Sequence, residues 1–86
     1  MAPVTIYTTR YCPYCIRAKQ VLTDKGVNFK EIGVDGNPGL RQKMMELSGR
    51  HTVPQIWIGE AHIGGFDELW SLECRGALDN MLIEGA

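Results

Sequence analysis

The sequence has no surplus of charge of either sign and no block of basic residues. Nine Lys and Arg residues against ten Asp and Glu residues give the 86-residue chain a formal net charge of -1. A protein that follows a nucleic-acid backbone needs clustered Lys and Arg, so we expect no nucleic-acid partner. The apolar fraction of 44% and the charged fraction of 22% are near globular averages, which excludes a disordered or fibrous chain.

Long apolar runs are also absent. No run approaches the roughly 18 residues of a membrane span, and the first five residues have neither the basic nor the apolar region of a secretion signal. We therefore expect a cytoplasmic protein with no membrane partner. The length suits a single domain over residues 1–86, which we expect to be a monomer and to bury about 63% of the surface of the unfolded chain.

Cysteine is scarce, and the number of cysteines is odd. Two of the three are in the segment Cys12-Pro13-Tyr14-Cys15, and the third is Cys74. In a chain without a secretion signal, such a pair indicates redox chemistry or metal binding rather than a structural disulfide. A zinc site would need two more ligands from Cys74, His51 and His62. We favour redox chemistry, expect no metal, and place both histidines at the surface or in a hairpin, without a role.

The remaining pattern predicts four strands and three helices in the order β-α-β-α-β-β-α. The length of the first strand–helix–strand run, which leaves room for a helix between the strands, favours a parallel, right-handed crossover. The predicted fold class is therefore α/β, with a mixed four-stranded sheet and helices on both faces. The predicted elements are strand 4–7, helix 13–25, strand 28–34, helix 38–48, strands 55–58 and 61–63, and a last helix that includes Asp67 and breaks at Gly76.

Local signals mark the ends of these elements. Gly26 and Gly49 are placed to end the first two helices in a left-handed conformation. Asn37 is a candidate N-cap, with Pro38 at the first helical position. The Gly59-Glu60 pair, with glycine first, suits a type II′ hairpin turn.

The two paired cysteines are predicted to have unequal roles. Pro13 at the first helical position makes Cys12 the N-cap, where its sulfur faces free N–H groups and the positive end of the helix dipole. Both favour the thiolate over the thiol. Cys15 lies inside the helix and gains little from this effect. We therefore expect Cys12 to attack a disulfide sulfur and Cys15 to resolve the resulting mixed disulfide.

Three motifs in this order resemble the dithiol glutaredoxins of the bacterial type. They are Cys12-Pro13-Tyr14-Cys15 after a strand, Thr52-Val53-Pro54, and Gly64-Gly65-Phe66-Asp67. The resemblance covers nearly the whole chain. It implies a thioredoxin-like fold and glutathione-dependent reduction of disulfides, above all of protein–glutathione mixed disulfides. Glutathione would then be a co-substrate, no cofactor would be bound, and the protein partners would be glutathionylated or disulfide-containing proteins.

The resemblance also implies a binding groove for glutathione. Although most X–Pro bonds are trans, it implies a cis Val53–Pro54 bond, which frees the Val53 backbone to pair with the extended tripeptide. Pro54 would pack near the two sulfurs, with Thr52 beside it. Tyr14 would line the groove with its ring.

The start of the last helix is predicted to hold one carboxylate of glutathione. After the break at Gly65, the N–H groups of Phe66 and Asp67 would donate to this carboxylate, and the Asp67 side chain would bind the γ-glutamyl ammonium. The glycyl carboxylate would meet Arg10 or Arg41. Thr9 occupies the position where the family usually has a lysine.

Other residues are assigned more simply. Trp57 and Trp70 are predicted to pack in or near the core. Cys74 is predicted to be buried and inert, with a redox-sensitive third thiol as the alternative. Two rival functions also stay open from the sequence, namely a redoxin recharged by thioredoxin reductase and a carrier of metal or an iron–sulfur cluster.

Overall fold

The computed structural model describes residues 2–84, apart from the side chain of Glu84. Its elements follow the predicted order, and the break at Gly76 separates the last helix into two. The elements are β1 (Val4–Thr8), α1 (Pro13–Asp24), β2 (Phe29–Gly33), α2 (Pro38–Ser48), β3 (Gln55–Ile58), β4 (Ala61–Gly64), α3 (Phe66–Cys74) and α4 (Leu78–Glu84).

The four strands form one mixed sheet in the order β2-β1-β3-β4. β1 and β2 are parallel, with Val4 opposite Phe29, which confirms the predicted parallel pairing of the strands joined through α1. β3 is antiparallel to both β1 and β4. Gly59, between β3 and β4, has a φ of 60°, the left-handed value that a tight hairpin turn requires of its first residue.

Apolar side chains cover both faces of the sheet, because neighbouring residues of a strand point to opposite sides. On one face, β1 and β3 pack against α1, α3 and α4. On the other face, Tyr7 and Trp57 pack with Met44 of α2. The prediction of helices on both faces is confirmed. The buried core of the first face comprises Ala2, Val4, Ile6, Ala18, Leu22, Val27, Ile56, Ile58, Leu69, Leu78 and Leu82.

The helix ends lie where the local signals place them. The Asn37 side chain accepts a hydrogen bond from the Leu40 N–H at 3.1 Å, which caps the start of α2. Gly49 ends that helix with a φ of 71°. Gly26 follows α1 with a φ of 72°. All three predictions are confirmed.

Two predictions about side-chain burial are wrong. Trp70 is 48% exposed on the outer side of α3, whereas Trp57 is half-buried against α2 as expected. Cys74, the last residue of α3, is exposed rather than buried. The apolar face of α3 is carried by Leu69 and Leu72 instead. Within residues 2–84, no helix combines the length and the apolarity needed to cross a membrane.

Candidate active site

Cys12 occupies the N-cap of α1. Its backbone is extended, with a φ of -120°, and Pro13 is the first helical residue. The Cys15 N–H donates a hydrogen bond to the Cys12 sulfur at 3.1 Å. Negative charge on this sulfur is stabilised by that N–H and by the start of the helix. The predicted N-cap geometry is confirmed.

Cys15 has a different environment inside the first turn of α1. Its side chain is fully buried, whereas 8% of Cys12 is exposed. Burial, together with the hydrogen bond to Cys12, raises the pKa of the Cys15 thiol to about 12. Cys15 is therefore a neutral thiol at physiological pH, and the attacking and resolving roles of the two sulfurs stay predictions.

The segment from Thr52 to Pro54 lies beside the Cys12 sulfur. The Val53–Pro54 peptide bond is cis, as the resemblance implies. The Cys12 thiol points to the Val53 carbonyl oxygen, with 3.8 Å between sulfur and oxygen. Pro54 is buried and Val53 is half-buried. The structure thus brings the backbone of this segment close to the Cys12 sulfur.

A groove of about 300 Å³ continues from this segment to the start of α3. It includes all of the predicted glutathione-binding residues except Arg10 and Arg41, and it also includes Arg50 and Glu68. Side chains of both charges and an apolar wall suit a charged, extended ligand. The lining residues are Tyr14, Arg50, Thr52, Val53, Pro54, Gly65, Phe66, Asp67 and Glu68.

Glu68 organises the start of α3. One of its carboxylate oxygens accepts hydrogen bonds from the Gly65 N–H at 2.7 Å and from Arg50 at 2.9 Å. The bond from Gly65, followed by that from Arg50, lowers the pKa of this carboxyl group. Sequence reasoning missed this contact, although an acidic residue three positions after a helix N-cap is a known capping signal. The Gly65 N–H therefore serves the helix cap.

Arg10 and Arg41 lie outside this groove. Arg10 is exposed and donates a hydrogen bond from Nε to the Asp35 carboxylate at 2.9 Å, which lowers the pKa of Asp35. Arg41, on α2, lines a neighbouring cleft with Thr9 and Asp35. The basic side chain in the groove itself is Arg50. A role for Arg10 or Arg41 in binding the glycyl carboxylate stays a prediction.

Three aromatic rings form a row that starts at the wall of the groove and ends at the surface. The ring centroids of Tyr14 and Phe66 are 6.2 Å apart, and Phe66 stacks on Trp70 at the same distance. The Arg17 guanidinium lies 5.6 Å from the centre of the Tyr14 ring. Stacking at this surface explains why Trp70 stays outside the core.

The histidines do not gather with the cysteines. His51 is exposed. His62 is in β4, half-buried, with Nε2 2.8 Å from the Oε1 atom of Gln55. Among the residues that the structure describes, no three His, Cys, Asp or Glu side chains are grouped closely enough to hold a metal ion.

Known proteins with the same arrangement identify the family. The profile described as Glutaredoxin matches residues 4–63. The chain is 60% identical to the Glutaredoxin of Pseudomonas aeruginosa over 82 residues, which cover 95% of this chain and 98% of the relative. It is 55% identical to Glutaredoxin 3 of Escherichia coli over 82 residues, covering 95% and 99%. The crystal structure of a buckwheat glutaredoxin–glutathione complex superposes with a TM-score of 0.88 at 30% identity, covering 96% of this chain and 78% of that one. These matches confirm the thioredoxin-like fold, and the chain belongs to the glutaredoxin family of thiol–disulfide oxidoreductases.

Proposed function

We propose that this protein uses glutathione to reduce protein–glutathione mixed disulfides, with Cys12 as the nucleophile. The Cys12 thiolate attacks the glutathionyl sulfur, a new disulfide forms between Cys12 and glutathione, and the substrate protein leaves as a thiolate that takes up a proton. The thiolate of a second glutathione then attacks the same glutathionyl sulfur. This step forms oxidised glutathione and releases Cys12 as a thiolate, ready for another cycle.

One observation supports this function most directly. The Cys12 sulfur accepts a hydrogen bond from the Cys15 N–H. It also lies 3.8 Å from the carbonyl oxygen of Val53, a residue that lines the groove. A sulfur stabilised as an anion is both the attacking group and a good leaving group. Its contact with the groove means that a disulfide formed on Cys12 places the attached tripeptide along the groove.

The groove offers matching partners for the two ends of glutathione. The Val53 backbone pairs with the backbone of the tripeptide in the manner of an added strand. Beyond it, the N–H groups of Phe66 and Asp67 at the start of α3 suit the γ-glutamyl carboxylate, and the Asp67 carboxylate suits its ammonium. Tyr14 and Thr52 line the side of the same groove. The buckwheat relative solved in complex with glutathione supports glutathione as the ligand.

Cys15 serves a second class of substrate, the protein disulfides. When Cys12 forms a mixed disulfide with a substrate protein, Cys15 attacks the Cys12 sulfur, releases the substrate as a dithiol and leaves a Cys12–Cys15 disulfide. Glutathione then reduces this disulfide. All of these residues belong to one chain, which is compatible with a monomer. A supply of reduced glutathione is a feature of the cytoplasm, where we propose that the protein acts.

The test separates the two cysteines in an assay that follows release of a peptide from its glutathione mixed disulfide. We expect Cys15→Ser to retain at least about half of the rate and Cys12→Ser to have no measurable rate, because only Cys12 has the stabilised sulfur. Cys74→Ser is the matched control and should leave the rate unchanged. Equal losses in the Cys12 and Cys15 variants would contradict the proposed roles.

The same assay distinguishes the source of electrons. Glutathione alone should sustain turnover of the unmodified protein. If turnover instead requires NADPH and thioredoxin reductase, the protein is a redoxin of another kind and the glutathione groove is wrongly assigned.

A further inference from the structure

A buried glutamine lies directly behind the groove. Gln55 is the first residue of β3, and its side chain is fully buried. Its Nε2 atom donates hydrogen bonds to the Thr52 carbonyl oxygen at 3.0 Å and to the Thr52 hydroxyl oxygen at 3.3 Å. Its Oε1 atom is 2.8 Å from Nε2 of His62 on β4. One amide therefore connects the second strand of the hairpin with a residue that lines the groove.

The chemistry of these groups fixes the direction of every hydrogen bond. A backbone carbonyl can only accept, so the amide nitrogen of Gln55 must face Thr52 and the amide oxygen must face His62. Two acceptors cannot pair, so Nε2 of His62 must carry a hydrogen. In the neutral ring, the other nitrogen, Nδ1, is then the one without a hydrogen.

The same reasoning applies to the hydroxyl of Thr52. Its oxygen accepts a hydrogen bond from Gln55, so its own hydrogen is free to point to another acceptor. Thr52 lines the groove. The arrangement therefore presents the Thr52 hydroxyl to the groove as a donor, which suits an oxygen of a carboxylate or of a peptide carbonyl.

We propose that Gln55 and His62 are a pair of positioning residues that hold Thr52 as a hydrogen-bond donor for the glutathionyl group. This inference rests on the proposed glutathione groove. The pair touches neither the sulfurs nor the ligand. It acts through Thr52, so it affects binding of the glutathionyl group more than the sulfur chemistry.

The surroundings of His62 keep its ring neutral and in place. The ring packs on Trp57 at 4.7 Å between centroids. Burial lowers the pKa of His62, as does Arg50, while Glu68 opposes them. Asp67 is on α3 and Arg75 directly follows this helix, and both line the cleft that His62 also lines. A protonated ring would still donate from Nε2, so the pair keeps its direction in both charge states.

Steady-state kinetics with a glutathionylated peptide test the effect on binding. Gln55→Leu nearly keeps the shape of the buried side chain and removes its hydrogen bonds to Thr52 and His62. We expect it to raise KM for the peptide at least threefold while kcat changes less than twofold. Gln20→Leu is the matched control, since Gln20 pairs with Asp24 on the exposed side of α1. An unchanged KM in Gln55→Leu, or a loss confined to kcat, would overturn the inference.

A second variant and a spectroscopic measurement cover the case in which Gln55→Leu fails to fold. His62→Phe keeps a ring on Trp57 and removes the donor to Gln55, and it should raise KM in the same direction. Nitrogen NMR of the unmodified protein at pH 8 should show His62 with hydrogen on Nε2. A neutral ring with its hydrogen mainly on Nδ1 would refute the hydrogen bond from His62 to Gln55.

Failure of the proposed function and failure of the positioning role can be distinguished. If the unmodified protein does not turn over the glutathionylated peptide, the proposed function is wrong, and the NMR result alone decides whether the pair exists. If the unmodified protein is active and KM stays constant in both variants, only the positioning role is wrong.

Discussion

Residues three positions apart can have opposite chemistry when a helix begins between them. Cys12 is outside the first turn, so the Cys15 N–H points to its sulfur at 3.1 Å. Cys15 is inside that turn, where burial disfavours its charged form. Pro13 separates the two environments, because it starts the helix and has no N–H to offer. The sulfur that we propose as the nucleophile is therefore the one that accepts a backbone N–H at a helix start.

Alkylation should reveal how far the buried environment suppresses the thiolate of Cys15. In a Cys12→Ser protein, burial, which is the largest cause of the raised pKa, still acts on Cys15. At pH 8, a thiol with the ordinary pKa of 9.0 is ionised in roughly one molecule in ten, and we expect a much smaller fraction of native Cys15 to be ionised. Because iodoacetamide reacts with thiolates, native Cys15 should react at least about tenfold more slowly than it does in the unfolded chain. The rate should rise as the pH increases above 8.

Peptide mass spectrometry provides the control within the same molecule. The exposed Cys74 should be labelled quickly in the native state. In guanidinium chloride, Cys15 and Cys74 should be labelled at similar rates. Rapid native labelling of Cys15 at pH 8 would show that its environment does not suppress the thiolate.

The Asp67 carboxylate is predicted to bind the ammonium of glutathione. Because a hydrogen bond between charged groups contributes about 1.5–3 kcal/mol, Asp67→Ala should raise KM for a glutathionylated peptide about tenfold or more. Glu60→Ala, which removes an exposed carboxylate at the β3–β4 turn, should leave KM unchanged. Equal KM values for the two variants would remove Asp67 from the site.

At the scale of elements, local signals in the sequence predict where a helix begins and ends, but they do not predict contacts between residues far apart in the chain. Asn37 and Pro38 mark the start of α2 because capping depends on neighbours in the chain. The pairing of Arg50 with Glu68 depends instead on how α3 docks beside the hairpin. No pattern in a single sequence specifies that distance. The groove residues were found through motifs, whereas the organisation behind them, including Gln55, required the structure.

The exposure of Trp70 and Cys74 shows that the sequence also does not predict which side of α3 is buried. α3 has apolar residues on more than one side, and the sequence does not say which side meets the core. The structure buries Leu69 and turns Trp70 to Phe66 at the surface. A stacking partner outside the core makes an exposed tryptophan favourable here.

The junction between β4 and α3 requires glycine at position 64. Its φ is 118°, and a Cβ atom there would be 2.5 Å from the Glu68 carboxylate oxygen that caps the helix. Gly64→Ala should therefore lower the free energy of unfolding through both backbone strain and displacement of Glu68. Gly76→Ala is the matched control, since Gly76 has a φ of 72° with open space around it.

The difference between the two variants combines the contact with Glu68 and the greater backbone strain at a φ of 118°. We expect Gly76→Ala to cost about 1–2 kcal/mol in urea denaturation. Gly64→Ala should cost clearly more and should also raise KM for a glutathionylated peptide, because Glu68 lines the groove. Equal costs would mean that Glu68 moves aside freely.

At the scale of the whole molecule, the groove depends on elements that come after the matched part of the family profile. That match ends at Ile63, yet α3 forms one wall of the groove. α3 is in turn held by α4, whose Leu78 and Leu82 are buried in the main core. The Ala2 N–H also donates to the Leu82 carbonyl at 2.8 Å, which joins the two ends of the described chain. We therefore expect the chain to fold as one unit.

Substitution in α4 should destabilise the entire protein rather than its last helix alone. Leu78→Ala leaves a cavity in the main core and should cost about 2–5 kcal/mol. Ile83→Ala, at a position 67% exposed, should cost less than about 0.5 kcal/mol. A Trp70→Phe background leaves Trp57 as the fluorescent probe, on the opposite face of the sheet from α4. In Leu78→Ala, its fluorescence and the far-ultraviolet circular dichroism should shift to the same lower urea midpoint, because a single cooperative core unfolds at once. Two separate midpoints would show that α4 unfolds independently and that the chain is not a single cooperative domain.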